Sequence, residues 1–164
     1  DLEVQVTQPE RLAGRRVLVI EDGPTVTHGG MPYGAGWVAA RQYGVGEIVD
    51  PRPHAVGSII HVFRAYPHLL QVLPAMGYSA QQRQELKATI ETSGAEVVLN
   101  ASPAGVADLL ALSLPVVQVH YRWVQRSGPD VLALVTSLVQ KRLAAWAAGT
   151  GSQDELTMVF TRLL

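Results

Sequence analysis

Short apolar runs alternate along the chain with segments of helical periodicity. Val17–Ile20 is a continuous run rich in β-branched residues, which is typical of a strand buried on both faces of a sheet. The predicted strands lie at 17–20, 47–50, 69–73, 96–100 and 115–120. Strands that alternate with helices at this spacing favour right-handed crossovers. We therefore predict an α/β fold, with a parallel sheet of about five strands and helices on both faces, a Rossmann-like three-layer architecture.

The segments between these strands carry helix start and stop signals. Ser79 followed three residues later by Gln82 is a capping-box pattern, and it predicts a helix with Leu86 and Ile90 on its buried face. The other predicted helices are a segment at 37–41 ended by Gly44, a helix from Ser58 that ends before Pro67, and a helix over 106–112 behind a Ser102 cap and Pro103.

A different pattern begins near residue 125, so we divide the chain into an α/β domain at 1–124 and a helical extension at 125–164. A long amphipathic helix is expected between Gly128 and Ala148. Its apolar stripe consists of Leu132, Val135, Val139 and Leu143. A joint at 149–152 and a final helix from Asp154, with Leu156, Val159, Phe160 and Leu163, are expected to follow. Two alternatives stay open: the extension covers the sheet of its own domain, or it joins two copies as a homodimer.

The composition narrows the class of protein. The chain has 164 residues, which suits one domain with a sizeable core, and a formal net charge of -1, so we expect no nucleic-acid partner and no membrane partner. No apolar run reaches the ~18 residues of a membrane span. There is no cysteine, which fits a reducing compartment, and we expect a soluble, cytoplasmic protein. Because the chain begins with Asp1 rather than Met, we expect a domain of a longer polypeptide.

The densest candidate chemistry lies in residues 21–36, between the first strand and the next helix. Five glycines, two threonines, a histidine and two carboxylates share this segment, which is far longer than the ~2–6 residues of an ordinary connection. Glycines of this kind let main-chain N–H groups form an anion nest near a helix start. The phosphate-binding candidates are Gly23, Thr25, Thr27, His28, Gly29 and Gly30. Asp22 is the candidate ligand for a hydrated Mg²⁺, the alternative being an acceptor for its own turn.

A second candidate group follows the other strands. In an open parallel sheet, ligands bind outside the carboxyl ends of the strands. Arg52 has a proline on each side, which fixes its backbone and suits a bidentate phosphate contact beside Asp50, and Ser58 closes the same loop. Asn100, Ser102, His120 and Arg122 also follow strands, where capping, packing or surface roles remain alternatives to ligand binding.

Several blocks of this sequence are similar to one known family. The blocks lie, in the same order, at 17–25, 27–36, 47–53, 55–59, 66–68 and 72–78. They resemble the C-terminal part of the cyclic 2,3-diphosphoglycerate synthetase family, also catalogued as predicted GTPases, over roughly residues 12 to 122. The resemblance implies an upstream P-loop domain of the same polypeptide as partner, ATP or GTP with Mg²⁺ as cofactors, and a phosphorylated small molecule as substrate.

This chain departs from that pattern in two places. No G-x-x-x-x-G-K-[ST] motif occurs in it, so we expect no activity from the chain alone. Where the family carries a threonine-proline followed by paired arginines, residues 102–107 read Ser-Pro-Ala-Gly-Val-Ala, which weakens the case for diphosphoglycerate itself. Two hypotheses follow. The chain is the C-terminal domain of a P-loop nucleotide-dependent enzyme and supplies a phosphate and Mg²⁺ half-site, or it is a noncatalytic regulatory or dimerisation module that keeps the loops as structure.

Overall fold

A mostly parallel sheet organises the first three-quarters of the protein. The computed structural model describes residues 2–149 apart from 78 and 104. The strands are β1 (Leu2–Val6), β2 (Arg16–Glu21), β3 (Glu47–Ile48), β4 (Leu73–Pro74), β5 (Val97–Asn100) and β6 (Val116–Trp123). The helices are α1 (Gly23–Thr27), α2 (Ala35–Gln42), α3 (Ser58–Ala65), α4 (Ala80–Thr92), α5 (Val106–Leu110) and α6 (Val131–Ala147).

The sheet is built around β2, which runs through its centre. The strand order is β1-β6-β5-β2-β3, and β4 also pairs with β2. β2 is parallel to β5 along most of its length, to β3 at Arg16 and Val17, and to β4 at Ile20 and Glu21. β6 is parallel to β5. The predicted α/β fold with a parallel sheet is therefore confirmed.

Two core layers cover the two faces of β2, because successive side chains of a strand point to opposite sides. Val17 and Val19 are fully buried on one face in a cluster that includes Ala39 and Ala40 of α2. Leu18 and Ile20 are fully buried on the other face against α3 and α4. The remaining buried members of that second cluster include Ile59, Leu86 and Ile90. These layers give the predicted arrangement of helices on both sides of the sheet.

Three local predictions need correction. β1 was not predicted, although its apolar residues alternate with polar ones, which is the pattern of a half-buried strand. Of the strand predicted at 69–73 only Leu73 pairs with β2, because Leu70 donates its N–H to the carbonyl of Pro32 and Val72 donates its N–H to the carbonyl of Leu70. The Ser102 cap is also wrong: α5 starts after Gly105, and Ser102 lies in a turn held by Asn100.

The predicted capping box of α4 is present. The Ser79 hydroxyl accepts from the N–H of Gln82 at 3.1 Å, and the Gln82 side chain accepts from the N–H of Ser79. Leu86 and Ile90 are buried, as the periodicity predicted. The 13-residue α4 therefore has a fixed start and a fixed buried face.

The described residues from Trp123 to Gly149 belong to a separate compact unit from residues 2–122. Asp130 caps α6 by accepting from the N–H of Ala133 at 3.1 Å. None of the α6 residues is buried, and Leu132 is 73% exposed. Among the described residues, no helix combines the length and hydropathy that a membrane span requires. The predicted final helix from Asp154 lies outside the described residues.

Deletion of residues 128–164 tests what α6 does. Every described member of the two core clusters lies at or before Val119, so we expect the shortened protein to stay folded. We also expect it to be monomeric while the intact chain associates, since eight large apolar side chains of α6 are each at least 46% exposed. Light scattering after size-exclusion chromatography measures both. The Leu132→Gln and Val139→Gln double variant should also be monomeric, and aggregation of the shortened protein would show instead that α6 covers its own domain.

Candidate functional site

The segment predicted as an anion-binding loop is largely occupied by the protein itself. Glu21, the last residue of β2, is only 2% exposed. Its Oε1 accepts from the N–H groups of Gly34 at 3.0 Å and Trp37 at 2.8 Å, and its Oε2 accepts from Gly36 at 3.2 Å. The start of α2 therefore already binds a carboxylate, whereas the predicted phosphate-binding residues lie earlier in the segment, at 23–30.

The electrostatics and packing around Glu21 show why glycines are needed here. Burial raises the pKa of Glu21, the three N–H groups oppose that rise, and Asp22 adds to it. A Cβ on Gly34 would lie 2.5 Å from Glu21 Oε2, and one on Gly36 would lie 2.7 Å from Val19 Cγ1. The glycines thus let the main chain approach the carboxylate. The sequence carried a signal for the burial of Glu21. It lies two positions after Val19, so it shares the face of β2 on which Val17 and Val19 are buried.

The next residue, Asp22, begins α1. Its Oδ2 accepts from the N–H of Thr25 at 3.4 Å and from the Thr25 hydroxyl at 2.8 Å. The turn-acceptor alternative for Asp22 therefore matches the geometry. Oδ1 of Asp22 makes no hydrogen bond to the described residues, so half of the carboxylate is available to a ligand.

The other candidates of this segment cluster in and after α1. The Thr27 hydroxyl donates to the carbonyl of Gly23 at 2.7 Å and lies 3.0 Å from His28 Nδ1. Gly29 donates its N–H to the carbonyl of Pro24 at 3.0 Å, so that donor is already used. Gly30 is exposed, with a φ of +66°.

Asp50 and Arg52 form an ion pair after β3. Arg52 Nε and Nη2 donate to the two carboxylate oxygens of Asp50 at 2.8 and 2.7 Å. Burial alone would raise the pKa of Asp50, but the hydrogen bonds and charge of Arg52 outweigh it and hold that pKa below its usual value. About half of the Arg52 side chain is exposed, and its Nη1 makes no hydrogen bond to the described residues. The pair therefore presents an oriented guanidinium at the surface.

Ser58, a phosphate-binding candidate, joins two helices in the structure. It is the first residue of α3, and both its N–H and its hydroxyl donate to Glu85 of α4, the N–H at 2.9 Å. Gly57, not Ser58, is the N-cap. Ser58 therefore ties α3 to α4.

The two predicted halves of the site do not meet directly. Both loops leave the carboxyl ends of parallel strands, but no hydrogen bond or ion pair joins 21–36 to 50–58 among the described residues. The reason is that β3 ends early: Val49 donates its N–H to the carbonyl of Val17, while β2 continues to Glu21 at ~3.3 Å per residue. β4 takes the position beside Glu21.

A cleft of about 270 Å³ opens beside Asp22. It lies between α1, α5 and the segment 75–77 that follows β4. Its lining consists of Asp22, Pro24, Ala75, Met76, Gly77, Leu86, Ser102, Pro103, Val106, Leu109 and Leu110. Among the described residues the lining is therefore mainly apolar, with one carboxylate and without a lysine, arginine or histidine.

The remaining strand-end candidates have structural partners. The Asn100 amide donates to Gln118 Oε1 at 2.8 Å and its oxygen accepts from the N–H of Ser102 at 3.1 Å. Arg122 pairs with Glu3 at 3.2 Å, and His120 is exposed. Within the described residues, no group of three or more His, Asp or Glu side chains could hold a metal ion.

Comparison with known proteins finds one informative relative. The chain is 53% identical, over 126 residues, to a protein named arginine synthetase ArcE from Thermococcus kodakarensis. The match covers 77% of this chain but only 28% of that protein. No family model matches, and no solved structure matches. The relative is a synthetase, as the resemblance in the sequence implies, but its name is not cyclic 2,3-diphosphoglycerate synthetase.

Glu21→Gln tests the role of the buried carboxylate. The NH₂ group of the glutamine side chain would face at least one main-chain N–H, and two donors cannot form a hydrogen bond with each other. The free energy of unfolding should therefore fall by about 1–3 kcal/mol. Because the pKa of Glu21 is raised in the folded protein, the folded state binds its proton more tightly than the unfolded chain. The stability that Glu21 contributes is then largest at low pH and falls as the pH rises above 4.5 through the raised pKa.

Urea denaturation between pH 4.5 and 8 measures this effect. The stability gap between the wild type and Glu21→Gln should shrink as the pH rises. Glu10→Gln, at an exposed position, controls for the loss of one negative charge. A gap that widens with pH would mean that the three N–H groups, not burial, dominate the pKa of Glu21.

Proposed function

We propose that this chain is a domain of a nucleotide-dependent synthetase and is inactive without a P-loop domain of the same polypeptide. The observation that carries the proposal is the 53% identity over 126 residues to arginine synthetase ArcE. Since the match covers 28% of that protein, most of the catalytic machinery would lie in other parts of the full-length chain. A synthetase couples the formation of a bond to the cleavage of a nucleotide phosphate, and arginine is the product that the name of the relative supports.

In this proposal ATP or GTP and Mg²⁺ are held chiefly by the P-loop domain. This chain has no Walker A motif, and the nest at the start of α2 is filled by Glu21. Asp22 offers one available oxygen, which fits at most a supporting contact to a hydrated ion. The chain therefore fits the side of the active site that binds the second substrate.

The phosphate contact of this domain is assigned to Arg52. Asp50 holds the guanidinium through Nε and Nη2, which removes much of the entropic cost of orienting a long side chain. An exposed, oriented guanidinium is suited to a phosphate oxygen of a ligand that approaches from another domain. The pairing leaves Arg52 in place before the ligand arrives.

The second candidate function is a noncatalytic regulatory or dimerisation module. The observation that favours it is that the domain satisfies its own polar groups: Glu21 fills the α2 start, Asp50 pairs with Arg52, and Glu85 accepts from Ser58. Such a module would keep these loops only as structure.

Arg52→Ala in the full-length protein separates the two candidates. We expect nucleotide cleavage coupled to arginine formation in the full-length protein and none from this chain alone. Loss of the charged contact should lower kcat/KM by about 10- to 100-fold, since hydrogen bonds to charged groups contribute ~1.5–3 kcal/mol. Arg64→Ala, an exposed arginine on α3, is the matched control. Full activity of Arg52→Ala would favour the noncatalytic module.

A further inference from the structure

The cleft beside Asp22 combines one charged end with apolar walls. Asp22 lies at the start of α1, and the walls are formed by Met76 after β4 and by Val106 and Leu109 of α5. A volume of about 270 Å³ is below the ~300–1,000 Å³ of pockets for drug-sized ligands. The cleft is therefore suited to a small ligand with a polar head and an aliphatic body.

The charge of the cleft selects the sign of that head. Asp22 is the charged residue among the described residues of the lining, and its Oδ1 makes no hydrogen bond to the part of the chain that the structure describes. The buried carboxylate of Glu21 precedes it in the chain. Burial raises the pKa of Tyr121, and the charges of Glu21 and Asp22 add to that rise. Arg83 donates to the carbonyl of Gly77 at 3.4 Å elsewhere in the lining, so the preference is local to Asp22, where a phosphate would be repelled and a cation attracted.

The apolar walls select the kind of cation. The side chains of Met76, Val106 and Leu109 offer no oxygen, either as a ligand to Mg²⁺ or as an acceptor for its water shell, so a hydrated Mg²⁺ would be limited to the supporting contact at Asp22. A guanidinium is weakly hydrated and can be placed against apolar surface at lower cost than a compact ammonium or a metal ion. One available carboxylate oxygen is sufficient for an end-on contact to its N–H groups.

We propose that this cleft binds a guanidinium group carried on an unbranched aliphatic stem, with the head at Asp22 Oδ1 and the stem against Met76, Val106 and Leu109. The assignment rests on the proposed function and deepens it, because it places the guanidino substrate or product in this domain and the nucleotide in another. It also accounts for the run from Ser102 to Leu110, which contains no arginine or lysine to repel such a head.

Titration of the intact chain with L-arginine tests the proposal by amide chemical shifts in NMR. We expect saturable shifts at Met76, Gly77 and Val106, with a Kd in the millimolar range. L-norleucine has the stem without the guanidinium and should bind at least tenfold more weakly. Guanidinium chloride at millimolar concentration has the head without the stem and should also bind more weakly, because each buried methylene strengthens binding by about fourfold.

Two variants locate the ligand. Asp22→Asn keeps an oxygen to accept from Thr25 but loses the charge, and it should weaken L-arginine binding by about 10- to 100-fold. Leu109→Lys adds a competing cation at a side chain that is 49% exposed, so the fold should survive while binding is lost. Glu10→Gln, remote in sequence and exposed, should bind as the wild type does.

Several results would overturn the proposal. These are the absence of cleft shifts up to about 50 mM L-arginine, equal binding of L-norleucine, displacement of L-arginine by 10 mM Mg²⁺, or shifts of the cleft amides with inorganic phosphate. None of these results bears on the Arg52 dependence of nucleotide cleavage in the full-length protein. Conversely, if L-arginine binds and Arg52→Ala has no effect on nucleotide cleavage, the ligand assignment of the cleft stands and the phosphate contact of Arg52 is rejected. The two failures can therefore be distinguished.

Discussion

The buried carboxylate of Glu21, with its three main-chain hydrogen bonds, determines the geometry of the whole carboxyl edge. It binds the start of α2 and so fixes the path of the glycine-rich segment between β2 and α2. Because successive residues of a strand point to opposite faces, Glu21 joins Val17 and Val19 on one side, and Asp22 turns toward the layer of Leu86 and Val106 on the other. The open cleft is a consequence of this alternation.

The domain neutralises its own helix starts with acidic side chains. Glu21 accepts from N–H groups at the start of α2, and Asp22 accepts from the N–H of Thr25 in α1. Glu85 of α4 accepts from the N–H of Ser58 at the start of α3. A domain that recognises nucleotide phosphates would leave such N–H groups for the ligand. The arrangement therefore agrees with a division of labour in which another domain binds the nucleotide and this one presents Arg52 and the Asp22 cleft.

Local sequence patterns predicted those parts of the fold that depend on neighbouring residues. The apolar run of β2 and the capping box of α4 are examples, since each needs only a few consecutive positions. The patterns failed where a distant contact decides: the 69–73 segment turns toward Pro32 instead of pairing throughout, and the glycine-rich segment contains α1.

The candidate site shows the same limit. Asp22, Thr25 and Thr27 became candidates because they cluster in sequence, and Arg52 became one because prolines flank it. Glu21 was passed over as a ligand for α2, since its partners lie 13 to 16 residues further on. The Asp22 cleft was not predictable either, because its walls come from residues near 76 and 106 that meet only in the folded domain.

The central claim is that Glu21 is a buried carboxylate bound to the start of α2, and an NMR titration of its side-chain carboxyl carbon tests this most directly. The account predicts a pKa above the ordinary value of 4.5 and amide shifts of Gly34, Gly36 and Trp37 with the same midpoint. Amides of Gly34, Gly36 and Trp37 that do not follow the titration of the carboxyl carbon would contradict it, whereas a pKa at or below 4.5 with amides that do follow would mean only that the three N–H groups outweigh burial.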